Sequence, residues 1–308
     1  MATLLDMIDE VSMNLSGYTL QQDRATHITA DVAATASTIA APISLSLAST
    51  DSVGKGIVEI DEELFYVDNY DRVGNTATIA PYGRAYLGTT LAAHTAGTKV
   101  TIAPTFPRFT IKRAINDTIS AIGSSIFAAN TTTITSNSAV SAFRLPTTGT
   151  TLNIRNILAI AYQALGSSKE WIPIRSYRFD GNANSTAFTS GQTVSIYDYI
   201  PSGRSVQVVY ATDPVPFTSN TENFATQTGL PESCKDLIIL GATYRLLSNL
   251  DPARASMVSP QADETDSKRP YGSSQSLTKQ VYALFNQRLN EEVKSQQEKY
   301  PIRVHYSL

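Results

Sequence analysis

Pro231 to Arg254 reads PESCKDLIILGATYRLLSNLDPAR, and the fold turns on this stretch. Leu237, Leu240, Tyr244 and Leu247 recur at helical spacing, with Ile238, Ile239 and Leu246 widening the stripe. Pro231 suits a first helical turn, and Glu232 and Asp236 are favourable near a helix N-terminus. The pattern stops at Leu250, because Asp251-Pro252 can close one helix and open a new turn. About 18 residues at about 1.5 Å each make a rod of about 27 Å. Such a rod needs other apolar faces to pack on. Apart from one downstream helix, the candidates lie far upstream, across long β-like segments.

Upstream, Leu4, Ile8, Val11 and Leu15, with Leu5 beside them, predict a helix over 3–16 that Gly17 closes. Thr3 with Asp6 is a relative of the capping box. Ile111, Ile115, Thr118, Ile119, Ile122 and Ile126 predict a second helix over 107–127, opened by Pro107. Downstream, Val281, Leu284, Phe285, Leu289 and Val293 predict a helix over 276–299, ended by Tyr300-Pro301. A polar loop, Val258 to Gln275, precedes it; loops of that length are usually functional or disordered.

Between the helices the pattern changes. Ile43–Leu47, Ile57–Ile60, Leu64–Val67, Thr76–Ile79 and Lys99–Ile102 are short, apolar or β-branched, and separated by Gly and Asp clusters. Gly74-Asn75 suits a hairpin turn with positive φ. In 128–220, Trp171–Ile174, Arg175–Phe179, Val194–Ile196 and Val206–Tyr210 read as strands, and Leu152–Ile160 as a strand followed by a bend. The final IRVHYSL alternates Ile302, Val304 and Tyr306 against Arg303 and His305, a period of two.

The expected fold class is therefore α+β. Residues 1–20, 105–128 and 221–300 form a discontinuous four-helix bundle. Residues 21–104 and 129–220 are two inserted antiparallel β-domains, and 301–308 is an extended C-terminal tail.

The chain has 308 residues, enough for two or three domains. Its charged fraction of 17% is low against about 25% for soluble proteins, and Ser, Thr and Ala fill the gap. The net charge of −3 gives no basic face for nucleic acid. The single cysteine, Cys234, excludes an internal disulfide and a Cys-rich zinc site, and reads as a small packed residue. No segment approaches about 18 unbroken apolar residues, so no membrane helix is expected. The acidic opening MATLLDMIDEVSMNL is unlike a signal peptide, so a cytoplasm is the expected place of synthesis and assembly.

Catalytic patterns do not assemble. His27, His94 and His305 lie in unrelated segments and read as surface or interface histidines. Asp61-Glu62-Glu63 lacks calcium-loop spacing and reads as a solvated turn between strands. G-x-S-x-G, P-loop and G-x-G-x-x-G patterns are all missing, and the Gly83-Arg84 to Thr90 stretch lacks a phosphate-loop lysine. Trp171 reads as a core aromatic. The expectation is a non-enzyme with no catalytic residue, no cofactor and no metal. Sugar binding by the Thr-rich, aromatic β-domains is the alternative.

Three stretches resemble neck proteins of tailed bacteriophages: GIVEIDEELFYV from Gly56, GRAYLGTTLAAHTAGTKV from Gly83, and FPRFTIKRAINDTI from Phe106. LIILGATYRLLSN and VYALFNQRLNEEVKSQQEKYP are similar to the helical core of head-to-tail adaptors. The resemblance covers about half the chain and matches 129–220 by position alone. It implies a structural virion protein of the neck, in a ring of twelve subunits beneath the portal protein. That ring would extend the DNA channel and carry a stopper or other neck and tail proteins. Duplex DNA would pass without sequence-specific binding, since twelve chains at −3 each total about −36. No membrane partner is implied. Family adaptors are small helical bundles, and the two β insertions depart from that pattern. In such adaptors the C-terminal segment reaches the portal. Here that role would fall to Ile302, Arg303, Val304, His305 and Tyr306 by strand addition. Tyr244, Arg245 and Arg254 are candidates for contact with neighbouring subunits. The alternative within virions is a minor tail, receptor-binding or glycan-binding protein.

Overall fold

The computed structural model describes residues 2–18, 23–35, 40–48, 53–137, 139–145, 154–165, 169–248 and 273–301, the last without the side chains of 273–276. The expected contacts at Arg254 and at Ile302, Arg303, Val304, His305 and Tyr306, and most of the expected 258–275 loop, lie outside these residues. The fold is α+β, with five helices and three antiparallel sheets among the described residues. Contacts divide the chain into two compact units. One is Leu5–Ile115 with Gly241–Lys279; the other is Met1–Leu4, Asn116–Leu240 and Gln280–Leu308.

The first unit holds a six-stranded sheet: β1 (Arg24–His27), β2 (Ile43–Ser46), β3 (Gly56–Ile60), β4 (Glu63–Asp71), β5 (Thr76–Ile79) and β6 (Lys99–Ile102). Their order is β1-β6-β3-β4-β5-β2. The two outer strands then meet. Ile28 bridges Leu47, the Thr29 amide donates to the Ser46 carbonyl at 2.9 Å, and the Ala48 amide donates to the His27 carbonyl at 2.9 Å. The sheet closes into a barrel, which removes the open edges that invite aggregation. Alternation in the sequence fills it: Leu45, Val58, Ile60, Phe65, Val67, Ala77, Ile79, Val100 and Ile102 form the core. The expected positive-φ turn at Gly74-Asn75 uses Asn75, with φ of 50°.

The second unit carries β7 (Ala128–Thr135), β8 (Ala142–Arg144), β9 (Ile154–Gln163), β10 (Trp171–Pro173), β11 (Tyr177–Asp180), β12 (Thr193–Ile196) and β13 (Ser205–Thr212). A four-stranded sheet, β10-β9-β13-β7, and a three-stranded one, β11-β12-β8, contribute to a single core of Ile154, Ile157, Ile160, Val194, Ile196, Val206 and Val208. The expected bend after Leu152–Ile160 is corrected: β9 runs unbroken for 10 residues, with register shifts where it faces β13 at Val209/Tyr210 and Ala211/Thr212. Trp171 is also corrected. It lies on the short outer strand β10 and is 40% exposed, because the aliphatic residues of β9 and β13 already fill the core.

The helices are α1 (Leu4–Ser16), α2 (Arg108–Ile122), α3 (Phe224–Thr228), α4 (Lys235–Leu247) and α5 (Ser273–Lys299). In α1, Leu4, Met7, Ile8, Val11 and Leu15 are buried, while Leu5 is half exposed. α2 stops at Ile122, earlier than its pattern predicts, and the β-branched run after Ala128 pairs with β13 instead. α4 is buried nearly all round: Leu237, Ile238, Ile239, Ala242, Thr243, Leu246 and Leu247 are buried. Leu240 and Tyr244, expected in its stripe, are only half-buried.

Candidate functional site

A buried polar cluster lies in the barrel, within two of the stretches that carry the resemblance. The β3–β4 hairpin turns through Asp61, whose φ of 55° suits a tight turn, and sets Glu63 at the first position of β4. Glu63 is buried. One carboxylate oxygen, Oε1, accepts from Arg84 Nε at 3.0 Å and from the Ala85 amide at 3.0 Å. The other, Oε2, accepts from Arg84 Nη2 at 2.8 Å and from the Ala92 amide at 3.0 Å, and lies 2.9 Å from His94 Nε2. His94 Nδ1 lies 2.8 Å from Asp61 Oδ2. An imidazolium, protonated on both nitrogens, is the form that donates to both carboxylates.

Arg84 is spent in the same way. Its Nη2 donates to the Ala92 carbonyl at 2.6 Å, its Nη1 donates to the Ala33 carbonyl, and its guanidinium lies 5.0 Å from the Phe65 ring centre. Its side chain, like those of Glu63 and His94, is wholly inside. Nearby, Thr89 accepts the Leu64 amide at 3.1 Å and donates to the Tyr86 carbonyl at 3.0 Å. His94 and Val32 exchange backbone hydrogen bonds of 2.8 and 2.9 Å.

Burial alone would raise the Glu63 carboxyl, but His94, Arg84 and the two amides overcome it and hold it down to about 2. Burial would lower the His94 imidazole; Glu63 and Asp61 outweigh it and raise its pKa. Chemically, this is a latch. Both Glu63 oxygens are committed to donors inside the fold, so neither is open to take a proton from a substrate. The latch ties together the hairpin, the strand end and the 84–94 loop.

Two expectations are corrected here. The 61–63 run is not a uniformly solvated turn: Asp61 is exposed, Glu62 pairs with Lys112 at 3.1 Å, and Glu63 is buried. His94 is not a surface histidine, because its two carboxylate partners offset the cost of burying its charge. No local pattern marks the pairing, since Arg84 and His94 lie 21 and 31 positions from Glu63. Its one available signal was the motif resemblance.

The latch supports a strained loop. Tyr82, Ala85 and Leu87 have φ of 58°, 49° and 55°, a region that L-residues seldom occupy. Tyr82 and Leu87 point outward, 71% and 66% exposed. Gly83 is fixed by crowding: a Cβ there would meet the Ala80 carbonyl oxygen at 2.7 Å and the Tyr66 carbonyl oxygen at 2.8 Å. Gly83→Ala is expected to cost about 1–3 kcal/mol as an overpacking change, read from denaturant unfolding followed at barrel amides. An unchanged midpoint would show that the loop shifts freely.

A second carboxylate joins the barrel to α2. Glu59, buried on β3, accepts the Arg108 amide at 2.5 Å and so caps a helix far away in sequence. Burial pushes its carboxyl up to about 7, against the pull of the Arg108 and Phe109 amides. Arg108 also pairs with Asp9 of α1 at 2.8 Å.

Of the expected inter-subunit residues, Tyr244 and Arg245 sit together at the end of α4, with the guanidinium 5.7 Å from the ring centre. The Arg245 Nε is buried without a hydrogen-bond partner among the described residues. The structure does not bring these two to the latch. Cys234 is buried, and burial pushes its thiol up to about 12, which leaves it unreactive. Among the described residues no group of three His, Cys, Asp or Glu could hold a metal, and no helix is long and apolar enough to cross a membrane. No protein-family model matches this chain, and no curated protein matches it.

Proposed function

We propose that the chain is a structural virion protein, a head-to-tail adaptor that forms a ring beneath the portal and extends the DNA channel. The observation that carries this is the latch. Asp61, Glu63, Arg84, Thr89 and His94 lie in two of the stretches by which the sequence resembles phage neck proteins, and they meet in one largely buried network. Supporting a common folding unit, the motif residues hold the strand ends and the loop in one shape. In this proposal the buried faces of α1, α2, α4 and α5 form the bundle core, and the β-domains are insertions into its connections. In the same proposal Tyr244 and Arg245, together at the end of α4, contact the neighbouring subunit. Ile302, Val304 and Tyr306 anchor the tail on the portal.

Electron microscopy of the purified chain with and without the virion's portal protein tests the class; a ring that forms on the portal is expected. Deleting 301–308 is expected to abolish co-purification with the portal, and undiminished binding would sink the tail assignment. A glycan-binding alternative draws on one feature of the second unit. A cavity of about 360 Å³ is larger, but one of about 270 Å³ is lined by Tyr199, Asp198, Asn137 and Ser136, side chains of the kind that hold sugars. A glycan array that returns a specific sugar would favour it.

A further inference from the structure

The four-stranded sheet has an outer edge at β7, and hydrogen bonding shows which of its groups face outward. In a strand the N–H and C=O of one residue point the same way, and residues two apart agree. Ser136, just past β7, donates its amide to the Arg204 carbonyl at 2.7 Å and accepts the Gly203 amide at 2.9 Å. Even-numbered residues therefore face β13. Phe127 follows the same alternation: its amide donates to Gln296 Oε1 at 3.2 Å, and its carbonyl accepts from Gln296 Nε2 at 2.6 Å. The Gln296 side chain thus makes the first rung of a ladder on the outer edge. The next rungs, at Ala129, Thr131, Thr133 and Thr135, have no strand beside them among the described residues.

This edge lacks the usual protection. Ala128–Thr135 reads AANTTTIT, with no charge and no proline to discourage an added strand. The cavity of about 360 Å³ opens at its first free rung, lined by Phe127, Ala129, Gln296, Lys299 and Tyr300. The Tyr300 ring lies 5.9 Å from that of Phe127, centre to centre. Tyr300, next to the last described residue, therefore lies beside the start of β7, close to the rung that Gln296 makes.

We infer that the β7 edge is a strand-acceptor site and that its occupant is the chain's own Ile302–Leu308. The alternation of this segment suits a strand with one side toward the core. Ile302, Val304 and Tyr306 would share the half-buried face of Thr132 and Ile134, and Arg303 and His305 the exposed face of Thr131 and Thr133. Its reach also fits: seven residues span about 23 Å when extended, and the free part of β7 about 20 Å. Leaving from the Phe127 end, the segment runs parallel to β7, a pairing slightly weaker per residue than antiparallel. The inference concerns the isolated chain and does not depend on the portal.

Amide hydrogen exchange, without portal, tests it. In the full chain the amides of Ala129, Thr131, Thr133 and Thr135 are expected to exchange at least tenfold more slowly than in a chain ending at Pro301. The amides of Asn130, Thr132 and Ile134, bonded to β13, are expected to stay protected in both. Thr133→Pro removes one outward donor and leaves the β13 ladder intact. With Trp171 fluorescence unchanged, it is expected to bring Thr131 and Thr135 to the truncated chain's rates. Equal exchange in full and truncated chains overturns the proposal. Protection that fades on dilution also overturns it, because the strand would then come from another copy.

Discussion

Arg84→Met is expected to lower the stability of the barrel by about 3–5 kcal/mol, the usual cost of removing one partner of a buried ion pair. Met keeps much of the aliphatic stem, so the change tests charge more than volume. What it leaves behind decides the magnitude. Glu63 would keep His94 and two backbone amides but lose both hydrogen bonds from the guanidinium. The carbonyls of Ala33 and Ala92 would lose a donor as well. Domains are stable by only about 5–15 kcal/mol, so this single change approaches the threshold. Exchange of the Val58 and Val100 amides, inside the barrel, is the appropriate reading. The protein's one tryptophan, Trp171, lies in the other unit, and its fluorescence reports that unit separately. In a double-mutant cycle, Glu63→Gln with Arg84→Met is expected to cost at least about 1 kcal/mol less than the two single changes together. Additive losses, or a loss below about 1 kcal/mol for Arg84→Met, would mean that the latch does not stabilise the barrel.

How much of this was legible beforehand depends on whether a residue's neighbours are local. The α1 stripe and the alternating barrel strands could be read because period alone separates their buried and exposed faces. Glu63 could not be read. Three acids in a row look solvated, and its counter-charges come from a loop that the barrel folds back onto it. Glu59 was hidden for a similar reason. A lone acid in the IVEI strand gives no sign that a helix N-terminus 49 positions away will land on it. Trp171 escapes a reading from sequence because size and apolarity favour burial, while strand order alone decides which strand is outermost. The early end of α2 shows the limit of periodicity: Ile126 keeps the helical phase and is buried, yet the helix has already stopped.

The pH dependence of stability is expected to have opposite slopes on two sides of about pH 4.5, and three buried groups set the signs. Glu63, held down to about 2 against 4.5, stabilises the fold above about pH 4.5 and loses that contribution as pH falls through about 2. Protonating it removes the acceptor that Arg84 and His94 share. Glu59 acts the other way. With its carboxyl pushed up to about 7 against 4.5, the folded state binds its proton more tightly, so stability falls as pH rises from about 4.5 to about 7. His94 adds to that limb: its pKa is raised, so its contribution is complete below 6.5 and is lost as pH rises through the folded value. Each carboxylate shift corresponds to about 3 kcal/mol at most. The fold is therefore expected to be more stable near pH 5 than near pH 8, and weaker again below pH 4. Glu59→Gln keeps a neutral acceptor on the Arg108 amide and removes the titration. It is expected to flatten the limb between pH 5 and 7 while leaving the acid limb set by Glu63 in place. Denaturant midpoints measured from pH 2 to pH 8 would show this. An upper limb unchanged in Glu59→Gln would mean that Glu59 is already ionised at pH 5 and that the α2 amides, rather than burial, govern its charge.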